Sequence, residues 1–333
     1  MTRTDAIQRP DAGEHLAMTE GVGLFDRSER GKLAVTGDQA ADFLDSLLSN
    51  DVKSLGEGSG CYATLLTHKG RMLADVRVLR TAEAISLDTE RPGLQALFDA
   101  LRQFRIGYRA ELHKRTLERG LLSLIGPDAD RLVGRPPGPQ EHANLPGTIA
   151  GIDVLLVRSD VGIDVICPSE RTEDVRAALE AAGAVAIGES AVECLRVERG
   201  RPRFGIDMDE TTMPQEAAIN ERAVSYTKGC YVGQETVARL YWRGKPNRHL
   251  RGLRLSGEAA PGAALRLEEA EVGVLGSVAV SPAHGPIALA LVRRTAVPGD
   301  VLRVGEDAAV TATVADLPFD VEAPARDGDD APT

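Results

Sequence analysis

The stretch GCYATLLTHKGRMLADVRVLR, residues 60–80, decides how the first half of this chain folds. Its two apolar runs flank a lysine–glycine pair, which predicts two antiparallel strands around a tight turn. Because side chains alternate along a strand, Asp75 shares a face with Arg77. Two interpretations stay open: a solvated strand face, or a carboxylate that lines a pocket. Tyr62, on the preceding strand, can reach the same pocket.

Strands and helices alternate on both sides of this hairpin. Residues 31–37 read as a strand, Asp38 is a candidate cap for the next helix, and Pro92 opens an amphipathic helix. Further on, the sequence predicts a hairpin over 152–168, a helix capped by Ser169 and ended by Gly183, and a helix over 189–199. Antiparallel strands with helices packed on them predict an α+β fold, not a doubly wound parallel sheet.

After Arg243 the pattern changes to short apolar strands separated by Gly/Pro turns at regular spacing. This pattern is typical of a small β-barrel or sandwich, and it places a domain boundary near residue 244. The last residues are polar and contain proline, which predicts a flexible tail.

The composition restricts the partners of the chain. Its 333 residues are enough for two or three domains, and the net charge of −11 argues against nucleic acid or an anionic membrane as the main partner. No segment reads as a signal peptide or a membrane span, so we expect a cytoplasmic protein.

The four cysteines have no metal-ligand spacing, and we expect no metal site of the chain's own. Three of them sit in apolar contexts that indicate small buried residues: Cys61, Cys167 and Cys194. Cys230 differs, because it lies within KGCYVGQE, residues 228–235. It is either a reactive thiol or one more buried, inert cysteine.

The neighbours of Cys230 favour the reactive alternative. Lys228 beside the thiol is predicted to promote its thiolate form, as is a helix that begins at Gly233, Gln234 and Glu235. Gly229 and Gly233 are expected to allow a positive φ or a close backbone approach.

A third segment, residues 192–210, carries Glu198 at the end of a predicted helix, where the helix dipole disfavours a carboxylate. Glu198 therefore belongs either to a surface ion-pair cluster or to a ligand site. Arg239 and Trp242 are predicted either to face a cleft at the domain boundary or simply to pack there.

Four stretches together resemble the YgfZ family, relatives of a mitochondrial iron–sulfur cluster assembly factor within the superfamily of the folate-binding glycine-cleavage T-protein (aminomethyltransferase). They are GVGLFDRSERGKLAVTGDQAADFL, LLSNDVKSLGEGSGCYATLLTHKGRMLADVRV, LRVERGRPRFGIDMDETTMPQE and KGCYVGQETVARL. The resemblance implies a three-domain cloverleaf. Two intertwined α+β domains form a folate-binding region over 18–243, a β-barrel follows over 244–322, and residues 1–17 and 323–333 are flexible termini.

The resemblance also implies a site for tetrahydrofolate or a derivative. Tyr62 and Asp75 match positions that the T-protein uses at its folate site, and Glu198 matches the carboxylate that holds the pterin. Arg239 is a weaker match near the folate tail, and Trp242 is added as a candidate for the same site. The motif around Cys230 and Lys228 supplies the remaining candidates: Gly229, Tyr231, Gly233, Gln234 and Glu235.

Two departures from the T-protein pattern matter. THKG, residues 67–70, replaces the asparagine-containing turn of the T-protein. Of two consecutive acids, only Asp75 is retained, and Ala74 replaces the other. The resemblance therefore implies an accessory factor that assembles, inserts or repairs [4Fe–4S] clusters of client enzymes and acts only indirectly on tRNA modification. Such a factor is not a conventional enzyme; its partners are iron–sulfur client or carrier proteins, without direct contact to nucleic acid or membrane.

Two alternatives stay open beside this accessory role. One is a tetrahydrofolate-dependent aminomethyl- or methyltransferase that uses Asp75, and the other is a folate-binding scaffold without chemistry. In the first hypothesis Cys230, Lys228 and Asp75 carry the chemistry. The sequence does not distinguish whether Cys230 ligates iron, transfers sulfur or acts in redox chemistry.

Overall fold

The computed structural model describes residues 10–306 and 309–319. Over these residues the chain forms two sheets with packed helices, followed by a closed β-barrel, which confirms the predicted α+β class. The ends of the predicted flexible termini, residues 1–9 and 323–333, lie outside the described residues, as do the last residues of the predicted barrel domain, 320–322.

The first sheet has six strands within residues 10–306, and its strand order shows that the chain leaves it and returns. β1 pairs antiparallel with β7, and parallel with β11. In the order in which they lie side by side, the strands are β11 Val185–Ala186, β1 Gly23–Asp26, β7 Arg119–Ile125, β10 Gly162–Pro168, β9 Ile152–Ser159 and β8 Asn144–Ile149.

The second sheet is built from the chain between β1 and β7, so the two α+β units are intertwined as predicted. The predicted hairpin is present as β3 and β4, with Thr64 opposite Asp75 and a turn in which Gly70 has φ 73°. In spatial order the strands are β3 Gly60–Leu66, β4 Met72–Arg80, β5 Ile85–Thr89, β2 Gly31–Thr36 and β6 Glu111–Lys114.

The helices cover these sheets and connect them to the barrel. They are α1 Ala12–Glu20, α2 Ala40–Leu47, α3 Arg91–Phe104, α4 Ala129–Val133, α5 Thr172–Ala181, α6 Glu189–Glu198, α7 Asn220–Ala223 and α8 Gln234–Arg243. The helices predicted from Pro92 and over 189–199 are confirmed as α3 and α6.

Both predicted side-chain caps are wrong. No side chain caps α2, which begins at Ala40 after a turn at Gly37 with φ 105°. Ser169 instead begins a short 3₁₀ turn that ends at Arg171, one residue before α5. In both cases the preceding turn has already redirected the chain, and the predicted capping residue lies outside the first turn of the α-helix.

The predicted flexibility of residues 1–17 also fails for its described part. Residues 12–17 belong to α1, whose start is fixed by a capping box: Asp11 Oδ1 accepts a hydrogen bond from the Gly13 amide, and Glu14 Oε2 accepts one from the Asp11 amide. Met18 of this helix is buried against the first sheet and α6. The helix is therefore ordered by both its cap and its packing.

Separate apolar cores support the three units. In the second sheet, α2 and α3 pack Phe43 and Leu97 onto the inward face of β4, which includes Ala74. In the first sheet, α5 packs Val175 onto β7 and β10. The opposite face of β4, with Asp75 and its alternating neighbours, is left to line the space where the two sheets meet.

The C-terminal unit closes on itself, as predicted for a barrel. Among the described residues six strands complete the ring, because β12 pairs with both β18 and β16, while β15 adds to the edge of β16. The strands are β12 Arg248–Leu255, β13 Ala264–Leu267, β14 Ala270–Val274, β15 Val278–Ser281, β16 Gly285–Arg293, β17 Val301–Val304 and β18 Val310–Ala315.

Candidate functional site

A cavity of about 200 Å³ lies where the two sheets meet α6, and we call it the central cavity. Strand β4 contributes Asp75 and Arg77 to its wall, and β10 contributes Asp164. Helix α6 contributes Glu193 and Arg196 from the other side. The three elements are brought together because the second sheet is inserted into the chain of the first.

Asp75 is the carboxylate in this wall that lacks an ion-pair partner within the described residues. Only 7% of Asp75 is exposed, and its Oδ2 accepts a hydrogen bond from the Tyr62 hydroxyl at 2.7 Å. Its Oδ1 is buried and has no hydrogen-bond partner among the described residues. Burial raises the pKa of Asp75 to about 6, although the nearby Arg30 guanidinium acts to lower it. The prediction that Tyr62 reaches the same pocket is confirmed.

The other buried charges around Asp75 are closely paired. Arg77 bridges Asp88 and Asp164, and Arg30 bonds Asp88 through Nη2 at 2.6 Å as well as Glu90. Burial acts to raise the pKa of Asp88, but Arg30 and Arg77 hold it well below its usual range. The network keeps its own charges satisfied and leaves Asp75 outside it.

His142, which no sequence pattern indicates, also lines the central cavity. It is 8% exposed, and its Nδ1 has no hydrogen-bond partner among the described residues. Burial, followed by repulsion from Arg77, lowers the pKa of His142 to about 4, so the ring is neutral near pH 7. No local pattern marks this residue, because it lies in the irregular segment before β8.

Arg222 and Glu141 close the same side of the cavity. The Arg222 guanidinium lies 5.2 Å from the centre of the Tyr62 ring and forms an ion pair with Glu141. Both residues line the central cavity. This cation–π contact ties the hydrogen-bonded Tyr62 to the wall that carries His142.

Glu198 lies in a neighbouring cavity of about 670 Å³ and not in the wall around Asp75. It is buried, and its Oε1 accepts a hydrogen bond from the Cys194 thiol at 3.5 Å, with His15 Nε2 at 3.9 Å. Its burial therefore excludes the surface ion-pair cluster that the sequence left open for Glu198. Six residues line both cavities, which are adjacent: Ile125, Ser159, Asp160, Val161, Leu195 and Arg199.

Residues 228–233, which we call the Cys230 loop, present an exposed thiol. Cys230 is therefore not a buried cysteine, but the residue does not line the central cavity. That Lys228 promotes the thiolate stays a prediction; the structure shows its ammonium bound by the segment from the end of α2 onward. Nζ donates to the carbonyl oxygens of Asp45, Leu48 at 2.9 Å and Asn50 at 3.0 Å, and it lies 3.1 Å from Asp45 Oδ1.

The two glycines of the Cys230 loop differ. Gly233 has φ 85° and precedes α8, and a Cβ there would lie 2.5 Å from the Thr67 carbonyl oxygen. This is the positive φ and close approach predicted from the sequence. For Gly229 the prediction is wrong, since its φ is not positive and a Cβ would meet no atom within 4 Å.

The remaining motif residues support the loop. Tyr231 is buried in the core beneath α8, and its hydroxyl has no partner among the described residues. Gln234 is the first residue of α8, and Glu235 pairs with Arg239 at 2.6 Å. The predicted helix start is confirmed.

Arg239 and Trp242 do not line the central cavity. Both side chains lie on the solvent side of α8, where Trp242 is 69% exposed and its ring packs edge-on against Tyr241. Only Val237 of this helix is buried, which orients these two residues outward.

Among residues 10–306 and 309–319, no group of three or more His, Cys, Asp or Glu side chains is arranged to hold a metal ion. In the same part of the chain, no helix is long and apolar enough to cross a membrane.

Comparison with known proteins identifies relatives along most of the chain. Residues 3–228 match the family described as the GCVT N-terminal domain. An aminomethyltransferase of Streptomyces coelicolor is 31% identical, covering 84% of this chain and 80% of that protein. A putative chloroplastic transferase of Arabidopsis thaliana is 28% identical, covering 91% of this chain and 72% of that protein.

The fold agrees with these matches. The crystal structure of the glycine cleavage system aminomethyltransferase T from Bartonella henselae superimposes with a TM-score of 0.81 at 26% identity, covering 92% of this chain and 88% of that one. The match therefore includes the barrel as well as the two intertwined sheets. From its sequence and its three-unit fold, this chain belongs to the GCVT N-terminal domain family, within the T-protein superfamily.

Proposed function

We propose that this chain binds tetrahydrofolate or a derivative in the central cavity and serves as an accessory factor for [4Fe–4S] enzymes, with Cys230 as its reactive thiol. The observation that carries the folate part is Asp75 Oδ1, a buried carboxylate oxygen without a partner among the described residues. Leaving such an atom unpaired is unfavourable, and a ligand that donates a hydrogen bond removes the penalty.

The residues around the cavity fit a reduced pterin. Its ring presents N–H and amino groups, which carboxylate oxygens accept well. Asp75 supplies one such oxygen, and the Glu198 carboxylate, whose Oε1 already accepts a hydrogen bond from the Cys194 thiol, adds an acceptor in the adjacent cavity, which suits the pterin role inferred for Glu198. A bound tetrahydrofolate would supply a nitrogen centre that carries one-carbon units. The chain's own contribution is to orient that ring and to hold a proton at Asp75.

The raised pKa of Asp75 is a second feature of the cavity that bears on ligand binding. With a pKa of about 6, Asp75 exchanges a proton near neutral pH, whereas an ordinary aspartate does not. The arginines near Asp75 are already paired with other carboxylates, so the charges around Asp75 do not have to rearrange when it gains or loses a proton. A ligand that enters therefore meets a free acceptor, Asp75 Oδ1, in a wall whose other carboxylates are paired.

The exposed Cys230 supports the accessory role. One cysteine cannot hold a cluster by itself, since clusters take four such ligands, and no metal-binding group of three occurs among the described residues. In this proposal the cluster is cargo that is shared with a client or carrier protein. An effect on tRNA modification follows indirectly, through a client enzyme that modifies tRNA.

The test separates the two parts of the proposal in a strain that lacks this protein. We expect Cys230→Ala to lose the rescue of [4Fe–4S] enzyme activity and to keep its affinity for tetrahydrofolate. Cys61→Ala is the matched control, because Cys61 is less exposed and is not expected to contribute to the rescue. Full rescue by Cys230→Ala would rule out the accessory role of the thiol and leave the folate site standing.

A second candidate is an aminomethyl- or methyltransferase that acts on tetrahydrofolate. It is favoured by the relatives named aminomethyltransferase and by the raised pKa of Asp75, which suits a group that exchanges protons. In this case turnover with tetrahydrofolate and an aminomethyl donor would vanish in Asp75→Asn and survive in Cys230→Ala. Absence of turnover in the unmodified protein would exclude it.

A further inference from the structure

His142 and Asp75 share a feature that sets them apart in the wall of the central cavity. Each has a buried polar atom, Nδ1 and Oδ1 respectively, that has no hydrogen-bond partner among the described residues. The two atoms come from different parts of the fold, since Asp75 lies on β4 of the second sheet and His142 precedes β8 of the first sheet. Two independent segments therefore bring an unpaired acceptor to one cavity.

The backbone holds His142 firmly in this position. Its amide donates to the Arg158 carbonyl at 2.9 Å, and its φ is 70°, which is uncommon for a residue other than glycine. Gly60 makes the approach possible, because a Cβ there would lie 2.9 Å from the His142 Cβ. A residue held in this way, with a buried ring atom left unpaired, has a cost that a bound ligand can offset.

The surroundings also decide which ring nitrogen accepts. Glu141 Oε1 lies 3.7 Å from Nε2, beyond hydrogen-bond distance, and its negative charge favours the neutral tautomer that carries the proton on Nε2, which we assign. Nδ1 then keeps its lone pair. Arg222 binds the same Glu141 carboxylate and fixes it in place.

We propose that His142 is a ligand-binding residue whose Nδ1 accepts a hydrogen bond from an N–H group of the heterocycle in the central cavity, alongside Asp75 Oδ1. The inference rests on the proposed folate function and adds a second acceptor from another segment of the cavity wall. The ligand class that it selects is a flat heterocycle with two N–H donors. An analogue with a donor on only one side leaves one of the two acceptors unpaired.

The first experiment measures binding of 5-formyltetrahydrofolate to the full chain by calorimetry. His142→Gly removes the ring without straining the backbone, because glycine adopts a positive φ freely. His142→Asn places an oxygen close to where Nδ1 lies, and asparagine also tolerates this φ. We expect the glycine variant to bind about tenfold more weakly and the asparagine variant to stay within about threefold of the original protein.

The outcomes separate the two levels of inference. If the unmodified protein does not bind the folate, the proposed function and the role of His142 both fail. If the unmodified protein binds and His142→Gly binds equally well, only the role of His142 is overturned. Equal weakening in the glycine and asparagine variants also overturns it, because filling the space with an acceptor would then not matter.

A second measurement distinguishes ligand contact from a structural role. In protein labelled with ¹⁵N-histidine, the His142 ring signals are assigned by their absence in His142→Asn. We expect the Nδ1 resonance to move when 5-formyltetrahydrofolate is added, while Nε2 stays protonated. An unmoved Nδ1 resonance at saturation would overturn the proposal, whatever the affinities are.

Discussion

The central cavity and the Cys230 loop use their buried charges in opposite ways. In the cavity wall, arginines are paired with carboxylates, and the group left available is the buried Asp75. In the loop, the buried charge is Lys228, which is satisfied by main-chain oxygens, and the group left available is the exposed Cys230. The two candidate chemistries thus have separate supports, so each can be removed without the other.

The largest effect is expected from breaking the charge network of the cavity. Arg77→Met leaves Asp88 and Asp164 without their shared partner, and an unpaired buried charge costs about 3–5 kcal/mol. Urea unfolding at pH 7.5 measures this loss. Arg102→Met is the control, because that exposed ion pair contributes under about 1 kcal/mol. A similar small loss for both variants would contradict the importance of the network.

A gain in stability is expected at the available carboxylate. The pKa of Asp75 is raised from 3.8 to about 6, so the folded state holds its proton more tightly than the unfolded chain, and stability falls as the pH rises between these values. Asp75→Asn should therefore raise the free energy of unfolding by about 2–3 kcal/mol at pH 7.5, with little gain at pH 4.

Unfolding curves at several pH values check this prediction. Asp99→Asn, on the exposed face of α3, serves as the control and should show no such pH profile. A gain in Asp75→Asn that is equal at pH 4 and pH 7.5 would show that desolvation of the carboxylate is not its cause. The stabilised variant should at the same time lose folate binding, because Asn offers a weaker acceptor there.

A smaller loss is expected in the support of the Cys230 loop. Lys228→Met removes the donor of three carbonyl oxygens, and we expect a loss of about 2 kcal/mol. Folate affinity should stay within about twofold, because the lysine does not line the central cavity. Lys69→Met, at an exposed turn, is the matched control for unfolding. If folate affinity falls by more than the loss of stability explains, the Cys230 loop and the central cavity are coupled.

The smallest effect on stability is expected at Cys230 itself. Cys230→Ala should change the free energy of unfolding by less than about 0.5 kcal/mol, because the side chain is exposed. Alkylation by iodoacetamide followed by mass spectrometry should label Cys230 first. Burial raises the pKa of Cys61 to about 12, so its thiol should react far more slowly. Equal labelling of Cys230 and Cys61 would contradict the prediction that Cys230 is the more reactive thiol.

The strand pattern was sufficient to predict one half of the cavity. Alternation along β4 put Asp75 and Arg77 on one face, and this assignment holds because a sheet with one buried face fixes the register. For the C-terminal unit, short strands with turns at regular spacing predicted a small barrel or sandwich, and the family resemblance selected the barrel. The turn glycines Gly70 and Gly233 followed from their need for a positive φ.

Tertiary packing decided what the sequence did not. Glu198 was assigned to the ligand site with Asp75, but Cys194 and Val197 pack against the barrel, which turns Glu193 and Arg196 toward the central cavity instead. Lys228 looked like a neighbour of the thiol because the two are close in sequence, whereas the ammonium finds carbonyl oxygens some 180 positions away. His142 lies in a loop whose path depends on Gly60, which no local pattern reveals.

The insertion of one sheet within the other has a consequence for how this protein is made. During synthesis, β1 leaves the ribosome before its partner β7, which begins at Arg119, has been synthesised or has emerged. At a synthesis rate of 5–20 residues per second, the delay between the two strands is roughly 5–20 s. The contiguous segment from β2 to β6 can fold during that interval. β1 must then be captured by a strand that arrives late, so a translational pause before residue 119 prolongs the time that an unpaired edge is open to chaperones and proteases.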